Sequence, residues 1–164
     1  MVTTLATKSS TIHSTYETSQ TGKATLYLAD SFEWLRSAKE NSIHAVVTDP
    51  PYGIANIWKG GSGHGWAKAC DQAGLRNEWD ESIPSADTMG LVLAAGKEVV
   101  IWGGNYFSLP PSRGWLIWNK PERNFSLAEA ELAWTNRDNV VRVCDAPRSE
   151  SDREHPTQKP VKVM

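Results

Sequence analysis

Ala45-Val46-Val47-Thr48 is an apolar, largely β-branched run that stops at Asp49-Pro50-Pro51-Tyr52-Gly53. Such a run predicts a short buried strand. Two successive prolines can neither extend a ladder nor sit inside a helix, so the strand must end at Asp49. In open α/β sheets, ligands bind beyond the carboxyl ends of the strands. An acid, two freed carbonyls and an aromatic ring are therefore delivered together to the expected site.

That set suits an exocyclic amine on a flat base. Asp49 can accept a hydrogen bond from an NH2 group, the Pro50 carbonyl can accept the second proton, and Tyr52 offers a face for stacking. Drawing both protons into acceptors concentrates the lone pair of an otherwise poor aromatic nucleophile. A strand followed by an ordinary Pro-Pro-Tyr-Gly turn is the plainer alternative.

With Asp49-Pro50-Pro51-Tyr52 and, near the end, His155-Pro156-Thr157-Gln158-Lys159-Pro160, the chain resembles the DNA amino-methyltransferases. These enzymes move a methyl group from S-adenosylmethionine to adenine N6 or cytosine N4. The order of the two motifs is that of one class of the family, and the resemblance runs from about residue 25 to 164. It implies Asp49, Pro50, Pro51 and Tyr52 as the catalytic set. It also implies Asp30, His155, Thr157, Gln158 and Lys159 as cofactor-binding residues, Lys159 meeting the cofactor carboxylate. The implied partner is double-stranded DNA, with the target base flipped out. Asp rather than Ser before Pro-Pro-Tyr leans toward adenine N6, with cytosine N4 left open.

At 164 residues and 40% hydrophobic, the chain has enough apolar content for one domain with a core. Residues 1–22 are rich in Ser and Thr without apolar periodicity and read as a disordered lead, leaving residues 23–164 as a partial methyltransferase catalytic domain. No apolar run is long enough for a membrane span, and the first residues lack the apolar centre of a signal peptide, so a cytoplasmic location is expected. Cys70 and Cys144 have no metal-ligand spacing and read as reduced thiols without chemistry. A formal charge of −2 does not announce a nucleic-acid partner. The eight tryptophans read chiefly as core.

Along the chain, Thr25-Leu26-Tyr27-Leu28 predicts a strand, and Asp30-Ser31-Phe32-Glu33 opens a helix with capping-box spacing. Asp30 is thus an N-cap or, as the resemblance implies, the acceptor for the cofactor's adenine amine. Residues 54–81 read as a flexible loop, with glycines between 60 and 65. Its Trp58, Lys59, Trp66 and Lys68 suit backbone contact and base stacking. Ser85 or Asp87 caps a helix that Gly96 ends. Val99-Val100-Ile101-Trp102 is a further strand, and the glycines Gly103 and Gly104 after it serve either a tight turn or close ligand approach. Trp115-Leu116-Ile117-Trp118 is another strand, and residues 131–135 and 140–143 read as a hairpin across Asn136-Arg137-Asp138-Asn139.

The expected fold is therefore α/β, an incomplete Rossmann-like methyltransferase sheet with a β-hairpin end. In the resembling class, the glycine turn for the cofactor and the acid for its ribose follow the second motif, and here the sequence ends at Met164. A second polypeptide completing the sheet, or a catalytically incomplete remnant that at most binds DNA, are the alternatives this raises.

Overall fold

The computed structural model describes residues 25–55, 80–123, 128–148 and 158–164, together with the backbone of 17–20. Strand β1 (Glu17–Gln20) pairs antiparallel with β2 (Thr25–Leu28) as a separate ribbon. Four residues of the segment expected to be a disordered lead are thus a strand. Helix α1 (Ser31–Ser37) follows, started by Asp30, whose carboxylate accepts from the Phe32 and Glu33 N–H groups. That satisfies two of the donors every helix start leaves unpaired.

The main sheet has five strands in the order β3-β4-β6-β5-β7: β3 (Ile43–Thr48), β4 (Gly96–Trp102), β5 (Trp115–Asn119), β6 (Ala130–Thr135) and β7 (Arg142–Asp145). Helix α2 (Ala86–Ala95), capped by the Ser85 hydroxyl accepting from Thr88 N–H, connects β3 to the parallel β4. The chain is α/β with a mixed sheet, as the alternation of strand and helix signals implied. Among the described residues no helix is long and apolar enough to cross a membrane.

Side chains alternate across the sheet and divide the core in two. Val99 and Ile101 point toward α2 and pack with Met89, Val92, Phe107 and Trp134. Trp102 points to the other face, with Trp118, Ala133 and Ala146. Burying each such aliphatic side chain contributes roughly 1.5–3 kcal/mol. Gly96 ends α2 as its C-cap, as expected, in an extended rather than a left-handed conformation. It enters β4 directly, and a Cβ there would lie 2.9 Å from Val46 Cγ2 and from Val99 Cγ2. The close packing of β3 on β4 therefore requires glycine.

Two expectations are corrected. Residues 131–135 and 140–143 do not form a hairpin. Strand β6 already has β4 on one side and β5 on the other, so β7 pairs in parallel with the free side of β5. The hairpin lies one strand earlier, between β5 and β6. Strand β3, read as buried, has β4 as its one partner among the described residues, and Val47 is 43% exposed. In β2, Leu26, Tyr27 and Leu28 are also exposed.

Topology carries the site to one edge. Thr48 pairs with Ile101 in parallel, so Asp49 comes level with Trp102 and the two chains leave the sheet together there, at Pro50 and Gly103. Because β6 runs antiparallel to β4 and β5, its amino end at Glu131 lies at that edge, beside the carboxyl end of β5 and Lys120.

Candidate functional site

The Pro-Pro-Tyr-Gly turn is held from below by Asp80. Its carboxylate is 3% exposed and accepts from Tyr52 N–H at 2.6 Å and Gly53 N–H at 3.0 Å. Gly53, at φ +70°, takes the left-handed conformation that lets the chain turn away. With the turn fixed, the Tyr52 hydroxyl donates to Asp49 Oδ1 at 2.6 Å.

Asp49 Oδ2 is met from the far end of the sequence. The Lys159 ammonium donates to it at 2.6 Å, lies 3.1 Å from the Tyr52 hydroxyl, and pairs with Glu131 Oε2 at 3.0 Å. Lys159 is almost fully buried, its side chain 5% exposed against 31% for Asp49. Glu131 also holds the buried Lys120 ammonium through its Oε1. Two carboxylates and two ammonium groups thus alternate along the sheet edge in the order Asp49, Lys159, Glu131, Lys120, which keeps the buried charges paired.

The aromatic groups close around Tyr52. Its ring stacks on Tyr106 with centroids 4.8 Å apart and planes 12° apart, and meets Phe107 edge-on at 6.2 Å. Gly103, at φ +68°, faces the same ring, and a Cβ there would lie within 2.6 Å of Tyr52 Cδ1 and Cζ. Of the two uses open to the glycines after β4, the tight turn is present, Tyr106 N–H donating to Gly103 O at 2.8 Å, and Gly103 also admits a close neighbour. The group approaching is a side chain of the first motif. Lys159 Nζ also lies 5.5 Å from the Tyr52 and Trp102 ring centroids.

Burial and the neighbouring Asp49 carboxylate push the Tyr52 phenol well above the ordinary tyrosine range. Burial raises the Glu131 carboxyl, but the Lys159 and Lys120 ammonium groups outweigh it and hold the group below the usual carboxylate range. Burial lowers the Lys120 ammonium against the opposing pull of Glu131.

The sequence-predicted residues divide accordingly. Asp49 and Tyr52 meet Lys159, and the half-buried Pro50 and Pro51 form the turn between them. Asp30 acts as the N-cap of α1, one of its two expected roles. Gln158 is half-buried beside Lys159, while His155 and Thr157 lie outside the described residues, as do residues 56–79 of the loop expected to touch DNA. Lys159, expected to meet a cofactor carboxylate, is ion-paired with Asp49 and Glu131. Sequence reasoning did not single out Asp80, Glu131 or Tyr106. Glu131 carried a faint signal, an acid opening an otherwise apolar strand, whereas Asp80 sits in a polar stretch with nothing to distinguish it.

Comparison with protein-family models, with curated proteins and with solved structures finds no match to this chain.

Proposed function

We propose that this sheet edge handles the exocyclic amine of a flipped base in S-adenosylmethionine-dependent DNA methylation, with adenine N6 as the acceptor. One observation carries the reading. Two motifs that point to the same chemistry, 110 residues apart in sequence, meet at 2.6 Å between Lys159 Nζ and Asp49 Oδ2. A chance Pro-Pro-Tyr-Gly turn gives no reason for that convergence.

In this mechanism Asp49 and the Pro50 carbonyl accept the two amine protons, and Tyr52 stacks on the base. Asp80 holds the turn that aims them, and Lys159 with Glu131 sets the charge around Asp49. Positioning and fixed dipoles supply the rate in such an arrangement. S-adenosylmethionine supplies the methyl group in the reaction class. Of the residues expected to hold it, Lys159 is instead paired with Asp49 and Glu131, and Asp30 caps α1 through its Oδ1. The same observation favours a second reading, in which the chain binds DNA but transfers methyl groups only with a second polypeptide that completes the sheet.

The test incubates the purified chain with S-adenosylmethionine and unmethylated duplex DNA, then digests the DNA and identifies nucleosides by mass. N6-methyladenine that disappears with Asp49→Ala supports the first reading. N4-methylcytosine in its place moves the acceptor to cytosine. No modified nucleoside leaves the second reading, and transfer surviving within about tenfold in Asp49→Ala removes Asp49 from the amine-accepting role.

A further inference from the structure

We infer that the amine site rests in a self-occupied state, with Lys159 and Tyr106 standing where the amine and the ring of the base would go. The inference rests on the proposed function and concerns the regulation of the same site.

An incoming amine needs an acceptor, and both oxygens of Asp49 are already engaged, Oδ1 by the Tyr52 hydroxyl and Oδ2 by the Lys159 ammonium. The second contact is the informative one. A nitrogen donor 2.6 Å from a carboxylate oxygen has the geometry of a tight, charge-assisted version of an amine hydrogen bond. A base also needs an aromatic face, and Tyr106 covers one face of Tyr52 at a stacking distance, nearly parallel. The two halves of a purine's recognition, planar ring and exocyclic nitrogen, are both mimicked by residues of the chain itself.

Each surrogate is placed so that it can leave. Tyr106 lies on the short 3-10 turn Gly104–Tyr106 and is 42% exposed. Lys159 carries its charge on a flexible four-carbon stem, and Glu131 Oε2 at 3.0 Å retains a partner for it once Asp49 is released. Withdrawal therefore exchanges one of two ion pairs for the substrate's hydrogen bond without stranding a buried charge. Substrate binding then carries the cost of opening, and the apparent affinity falls by the fraction of molecules that are open.

The test measures anisotropy of a dye-labelled single-stranded deoxyadenylate of about ten nucleotides against an abasic strand of the same length, without cofactor. The preference for the base-bearing strand isolates base binding from backbone binding. Tyr106→Ala and Lys159→Met should each raise that preference by about fivefold or more over the wild-type chain. Thermal unfolding confirms that each variant is folded, and Tyr106→Ala decides alone if Lys159→Met is not. Unchanged or weaker preference in the folded variants, with the wild-type chain still preferring the base, overturns the self-occupied state and leaves the proposed function standing. No preference in any of the proteins removes the base site and the inference together.

Discussion

Replacing Asp80 with alanine tests how the catalytic turn is held. The carboxylate accepts from two successive backbone N–H groups, at 2.6 Å from Tyr52 and 3.0 Å from Gly53, and is 3% exposed. Hydrogen bonds to a charged acceptor contribute roughly 1.5–3 kcal/mol each, and removing the acceptor leaves both donors in a part-buried turn. Losing the acid also removes the cost of burying its charge, so the expected net loss is about 3 kcal/mol. For a chain of this size that corresponds to a fall in Tm of roughly 6–12 °C. Denaturant unfolding of the wild-type chain, Asp80→Ala and Asp80→Asn measures it. The asparagine keeps an acceptor oxygen and should recover about half of the loss. A loss below about 1 kcal/mol in Asp80→Ala, or an asparagine variant no better than alanine, would refute the reasoning.

Two further outcomes follow from the surroundings of Tyr52. Its phenol holds its proton more tightly folded than unfolded, so stability should fall as pH rises above about 10, the unfolded value. An ultraviolet titration in which the difference between wild type and Tyr52→Phe shows tyrosinate forming in the ordinary range would contradict that. Gly103→Ala adds a Cβ against the Tyr52 ring at a left-handed φ of +68° and should destabilise by roughly 2–5 kcal/mol, read by denaturant unfolding. A variant within about 0.5 kcal/mol of wild type would mean that the ring does not lie on Gly103.

Much of this site was legible because its signals are local. A β-branched run ending in Asp-Pro-Pro marks a strand's end whatever surrounds it, and Asp30 and Ser85 announce their helices by cap chemistry alone. What a strand pairs with is not local. The short polar turn after Thr135 looked like a hairpin, yet both sides of β6 were already taken by β4 and β5, and only the three-dimensional order reveals that. The same limit hid Asp80 and Glu131. An isolated acid in a loop, or at the first turn of a strand, has no periodicity, and each matters only through partners far away in sequence. The two motifs could each be read as chemistry, but not that Lys159 reaches Asp49 rather than a bound molecule.

That contact is the claim on which the functional reading depends, and a double-mutant cycle addresses it directly. Unfolding free energies of the wild-type chain, Asp49→Ala, Lys159→Met and the double variant give the coupling between the two motifs. With the lysine nearly buried and the ion pair at 2.6 Å, the account predicts a coupling of about 1 kcal/mol or more. Additivity within about 0.3 kcal/mol would contradict it, because the two motifs would then not share a site.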